Sequence, residues 1–190
     1  MKLSIHKIAL GLAIALSIPQ GIYAEGKNCL EKFASYPAFS CSLAVYEIQG
    51  EDTLTDRGFL AVSDRGFFAQ IGGDCYLQTE PDSILNWSEG ADAVKTPAPT
   101  LFGLRRAVKT LDSLFALQIS GNCATGKNTS EDFAIKRIKI CFTSKCLPDT
   151  IELEGSYSSN ILIIPFKKST GKIPDKVFSL PKGTQIIRGF

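Results

Sequence analysis

From Phe39 to Trp87 the chain reads as short apolar and polar alternations cut by glycine and aspartate turns, and an antiparallel meander is the arrangement that absorbs such a pattern. Phe39, Cys41, Leu43 and Val45 alternate with Ser40, Ser42, Ala44 and Tyr46, which is strand spacing. The charged stretch Gln49 to Arg57 reads as a loop. Phe59 to Val62 follows as a second strand. Asp64-Arg65-Gly66 turns into Phe67 to Ile71, Gly72-Gly73-Asp74 into Cys75 to Thr79, and Pro81-Asp82-Ser83 into Ile84 to Trp87.

On either side of this run the period changes. Residues 27 to 36 predict a short helix, with Asn28 as cap, Glu31 three residues on and Pro37 as its stop. Ser88 to Pro99 reads as a polar connection. Leu101, Leu104, Val108, Leu111 and Phe115 then fall on one helical stripe, with a break expected near Thr110 to Ser113 and Arg105, Arg106 and Lys109 off the stripe. Phe115 to Ile119, Phe133 to Phe142, Thr150 to Glu154, Ile161 to Phe166, Val177 to Leu180 and Thr184 to Ile187 read as strands, with loops at Gly121 to Glu131 and Lys167 to Lys176. Asn128-Thr129-Ser130 fits a glycosylation sequon, a short pattern of little weight. The fold class is therefore mostly β with helices, α+β. A single antiparallel sheet this long must curl, and the central helix is the element available to cover its concave side. A β-sandwich with the helix outside is the alternative.

The first two dozen residues stand apart. Lys2 and Lys7 precede an almost wholly apolar run from Ile8 to Ile18, then Pro19, Gln20, Gly21 and, at the end, Ala24. That order predicts a cleavable signal peptide over residues 1–24 and a single mature domain over 25–190. The run is too short to span hydrocarbon, which takes about 20 residues. Glu25, not a cysteine, follows the expected cut, so a soluble periplasmic protein is expected rather than a lipoprotein. The chain carries 21 Lys and Arg against 19 Asp and Glu, and losing Lys2 and Lys7 leaves the mature part balanced, which argues against nucleic acid as a partner. Its one histidine, His6, leaves too, and with it any Ser-His-Asp triad, Cys-His pair or histidine metal site.

Cys29, Cys41, Cys75, Cys123, Cys141 and Cys146 all lie in the mature part, and an even number behind an export signal predicts disulfides. Fifteen pairings are open. Cys141 with Cys146, Cys29 with Cys41 and Cys75 with Cys123 is one set that the layout allows.

Several stretches, in this order, resemble the LolA-type outer-membrane lipoprotein carriers: Phe33 to Ser40; Gly58-Phe59-Leu60-Ala61-Val62 followed by Arg65, Gly66 and Phe68; Pro81 to Ser88; Pro99 to Leu104; and Val177 to Ile187. The resemblance implies a half-open β-barrel whose mouth is covered by a helical lid. It also implies an apolar cavity that holds acyl chains of lipoproteins or lipids, taken from an inner-membrane donor to an outer-membrane acceptor. Under that reading Leu43, Val45, Leu60, Val62, Phe68, Trp87, Leu101, Phe102, Leu104, Val108 and Leu111 line the cavity and lid, and Arg65 gates release. Two features depart from the family: Asp64 stands where its carrier has a basic residue, and six cysteines are more than its members carry.

The same residues also suit an ordinary packed core, and then the fold is a static envelope module with a protein partner. An enzyme is not expected: no free thiol is anticipated, no histidine remains and no G-x-S-x-G elbow occurs. No cofactor is implied. A cavity of several hundred Å³ separates the carrier from the static module.

Overall fold

The computed structural model describes residues 24–128, 134–155 and 159–188. The expected signal peptide, save Ala24, lies outside these residues, as do Thr129 and Ser130 of the sequon and Phe133.

The chain opens with helix α1 (Ala24–Ser35), which begins a turn earlier than expected and so places Asn28 inside the helix rather than at its cap. A first meander follows: β1 (Ala38–Gln49), β2 (Asp52–Ser63), β3 (Gly66–Ile71), β4 (Asp74–Gln78), β5 (Ser83–Ser88) and β6 (Ala93–Pro97). Helix α2 (Leu104–Phe115) leads to a second meander of β7 (Gln118–Ser120), β8 (Cys123–Lys127), β9 (Ile135–Phe142), β10 (Pro148–Gly155) and β11 (Ser159–Ser169). A 3-10 turn (Asp175–Phe178) and β12 (Ile186–Arg188) close the described chain.

Among the described residues, twelve strands form one sheet in the order β12-β6-β5-β4-β3-β2-β1-β11-β10-β9-β8-β7. β11 returns to pair with β1, Val45 opposite Ile163, and this long-range pairing joins the two meanders. Neighbours are antiparallel except β12, which lies parallel to β6. The sheet is open, with β12 and β7 at its edges. α2 carries the chain from β6, beside one edge, to β7 at the other, so it must cross a face.

That face is concave and apolar. Residues of α1, α2, β1 to β5 and β8 to β11 meet in a single buried cluster, which requires the sheet to curl around the helices. Strand alternation supplies one side of it: Phe39, Cys41, Leu43 and Val45 from β1, Leu60 and Val62 from β2, Ile138, Ile140 and Phe142 from β9. The helix supplies Leu104, Ala107, Val108, Leu111 and Phe115, while Arg105, Arg106 and Lys109 are exposed. Phe33 of α1 meets Phe39 edge-on at 5.0 Å between ring centres. Each such buried ring or aliphatic chain contributes about 1.5–3 kcal/mol.

Several sequence expectations are corrected. Gln49 to Arg57 is not a loop: β1 and β2 pair as far as Gln49 opposite Asp52, leaving a turn at Gly50 and Glu51. Backbone pairing needs no apolar side chain, and these residues are exposed. Ser88 to Pro99 and Gly121 to Glu131 contain the short strands β6 and β8, too polar to show an alternation. α2 starts at Leu104, not Leu101, and is unbroken through Thr110 to Ser113. It ends at Phe115, where Ala116 turns left-handed at φ 47° and donates its N–H to the Asp112 carbonyl. Val177 to Leu180 is no strand, since Asp175–Phe178 is the 3-10 turn.

The cysteines pair otherwise than in the set considered. Cys29 bonds Cys146, 117 residues away, and fastens α1 to the turn between β9 and β10. Cys123 bonds Cys141 across β8 and β9. Cys41 and Cys75 are free and buried. They cannot meet: Cys41 faces the concave cluster, Cys75 faces the other side, and three strand spacings separate β1 from β4, about 14 Å, against a disulfide reach of about 7 Å.

Candidate functional site

The concave side differs along α2. At its start the helix is pinned. Gln78, fully buried on β4, donates its amide to the Pro99 carbonyl at 3.1 Å and accepts the Leu101 N–H at 2.5 Å. The Gly103 N–H reaches the Ser63 carbonyl at 2.8 Å. Gly103 has φ 77°, a left-handed setting that favours glycine, and a Cβ there would lie 3.0 Å from Asp64 Oδ1.

At its end the helix overlies a cavity of about 870 Å³. Phe115, Ala116 and Gln118 bound it above, and Gly126, Leu153 and Ile161 line it below. These last three belong to one lateral row of the sheet, in which Gly126 faces Ile138, Ile138 faces Leu153 and Leu153 faces Ile161. Gly126 lets the chain come close: a Cβ there would sit 2.5 Å from the Phe115 carbonyl oxygen and 2.4 Å from Leu117. Ile48, Leu162, Lys127, Arg137, Lys139, Glu152 and Glu154 also border it, but they alternate with the inward row of Gly126, Ile138, Leu153 and Ile161 and turn their side chains to the convex face. Arg137 pairs with Glu154 at 3.2 Å and Lys139 with Glu152 at 2.7 Å. The cavity thus has an oily floor, and the strands beneath it carry both charges on their outer face.

The residues expected to line the hollow are placed elsewhere. Leu43, Val45, Leu60, Val62, Leu101, Phe102, Leu104, Val108 and Leu111 are buried together in the central cluster, and none of them borders the cavity. Phe68 and Trp87 sit on the opposite, convex face, where Phe59, Phe68 and Trp87 form a ladder with ring centres 6.3 and 6.4 Å apart. A second hollow of about 690 Å³ opens there, lined by these rings, Cys75 and the segment around Val177 and Lys182. Arg65 is remote from the large cavity. It pairs with Asp175 of the 3-10 turn and fastens the C-terminal segment to the β2–β3 turn. Of the helical stripe, Phe115 alone reaches the cavity. Leu153 and Ile161 were legible as strand residues but carried no sign of which end of the sheet stays unfilled.

Two titration effects bear on these regions. Burial pushes the Cys41 thiol up to about 12 and raises that of Cys75, which Asp74 and Glu89 raise further, so neither is an activated nucleophile. Burial also raises the Asp112 carboxyl, offset in part by the Leu117 N–H that it accepts at 3.2 Å. Among the described residues no group of three or more His, Cys, Asp or Glu is placed to hold a metal, and no helix is long and apolar enough to cross a membrane.

No protein-family model and no curated protein matches this sequence. Solved structures are similar in fold. A LolA superfamily protein from Nitrosomonas europaea is similar over 83% of this chain and 99% of its own, at 9% identity and a TM-score of 0.46. A DUF1329 family protein from Desulfovibrio piger is similar over 90% and 97%, at 8% identity and a TM-score of 0.48. Overlaps of this depth concern the course of the chain and say nothing of a ligand.

Proposed function

We propose that the mature chain works in the periplasm as a carrier, holding acyl chains of lipoproteins or lipids in the cavity at the end of α2 and passing them from an inner-membrane donor toward an outer-membrane acceptor. The observation that carries this reading is the cavity of about 870 Å³ roofed by Phe115 and floored by Leu153 and Ile161. Its size falls in the range of about 300–1,000 Å³ usual for small-molecule sites. Each methylene moved from water into such a floor gains about 0.8 kcal/mol. Two disulfides fit an oxidising compartment behind an export signal. The protein acts here by binding, without a catalytic group or cofactor.

A second reading has an observation of its own. The central hollow is filled by the chain's own side chains, and α2 is pinned at its start, as in a static module that binds a protein partner. Native mass spectrometry of protein taken from the periplasm, with a fluorescent fatty-acid titration of the same sample, separates the two. Copurifying acyl species and saturable binding support the carrier. Clean apoprotein that ignores the probe supports the static module.

A further inference from the structure

The convex face of the sheet changes character between neighbouring strands. On β9 and β10 it carries the cross-strand ion pairs Lys139–Glu152 and Arg137–Glu154, as a solvent-facing sheet should. On β1 and β11 it is apolar. Val45, Ile161 and Ile163 are buried in the concave cluster, so the residues that alternate with them look outward. These are Ala44 and Tyr46 on β1 and Leu162, Ile164 and Phe166 on β11, with Tyr46 opposite Leu162 and Ala44 opposite Ile164. Ile164 and Phe166 stand 36% and 37% exposed.

The chain beyond this stripe is basic and stays on the same face. A bulge after Phe166 sets both Lys167 and Lys168 against Cys41, and Lys168 turns to Asp149 at 3.0 Å. The segment then packs Ile173 on Ala38 and Ala61, and Val177 and Phe178 on Phe59 and Phe68. Its one acid from Lys167 to Lys182 is Asp175, taken up by Arg65. Lys167, Lys172, Lys176 and Lys182 are exposed, with no ion-pair partner among the described residues.

We infer that this face docks the protein on an anionic phospholipid surface, the apolar stripe entering the headgroup boundary and the four lysines meeting lipid phosphates. Such a surface offers apolar depth and negative charge side by side. A second copy of the chain offers the stripe the right match but brings the lysines against their like.

The test is vesicle cosedimentation of residues 25–190. Binding to phosphatidylglycerol-rich vesicles is expected, lost in high salt and absent with phosphatidylcholine alone. Replacing Lys172, Lys176 and Lys182 together by Gln is expected to weaken it roughly a hundredfold, at about 1 kcal/mol per lysine. Ile164→Ser with Phe166→Ser is expected to weaken it at unchanged charge. Fatty-acid binding is expected to stay as it was in both variants, which keeps this outcome separate from the fate of the cavity. Equal partition into both lipids, no partition, or a dimer in sedimentation equilibrium that the Ser variants dissolve overturns the inference.

Discussion

The two ends of α2 are built to opposite rules. Its first turns are held by a buried amide, a backbone bond to Ser63 and close-packed Leu101, Leu104 and Val108. Its last turn ends at a left-handed Ala116 over an unfilled space. One helix therefore serves as core where it enters and as roof where it leaves. A single amphipathic stripe does not announce one role for its whole length.

The largest effect that sharpens this contrast is a paired truncation. Leu111→Ala, deep in the central cluster, is expected to cost about 2–5 kcal/mol in denaturant unfolding. Leu153→Ala is expected to fall at the low end of that range or below, because Leu153 borders the cavity, where the surroundings can relax around a smaller side chain. Equal losses at the two sites erase the distinction.

Gly126→Ala comes next. A Cβ cannot coexist with the Phe115 carbonyl at 2.5 Å, so the helix end must move. The expected cost is about 1–3 kcal/mol, with weaker fatty-acid binding than in the wild type. Stability and binding both unchanged argue that the roof is not set by this contact.

Gln78→Ala removes the two side-chain bonds at the helix entrance, keeps the backbone bond to Ser63, and leaves the Leu101 N–H buried without its acceptor. About 1–3 kcal/mol is expected to be lost, with faster amide exchange confined to residues 99–106 and fatty-acid binding kept. Exchange quickening at Phe115 instead would show that the two ends are coupled.

The smallest effect is electrostatic. Burial raises the Asp112 carboxyl in the folded chain, so the native state holds that proton to higher pH than the unfolded chain does. Stability therefore falls as pH rises from the ordinary carboxylate value through the raised one. Asp112→Asn keeps an acceptor for Leu117 and loses the charge. It is expected to be slightly more stable than wild type at neutral pH and to match it in acid, read from thermal melts across pH.

Much of the fold was legible because its elements carry their own periodicity. β1, β3, β5 and the helical stripe of α2 are written in alternating or three-four spaced apolar residues. β6 and β8 were not, since their pairing rests on backbone bonds between polar residues. β12 was expected as a strand, but its parallel place beside β6 depends on a segment that must first cross the convex face. The site was less legible than the fold. Leu43, Leu60 and Val108 have the chemistry of cavity walls, and so does any core residue. Which row stays unfilled depends on where α2 stops and on the missing side chain at Gly126, and neither is a property of one residue's type. The cysteines show the same limit. Their even number suggested full pairing, while the sheet places Cys41 and Cys75 on opposite faces.

The position of the ligand separates a cavity at the end of α2 from a filled core, and photolabelling reads position directly. A fatty acid with a diazirine near its tail is bound to residues 25–190, crosslinked and mapped by mass spectrometry. Adducts at Phe115, Leu153 and Ile161 are the predicted result. Adducts at Leu60, Val62 or Val108, or no saturable labelling at all, would contradict a carrier whose cavity lies at the end of α2.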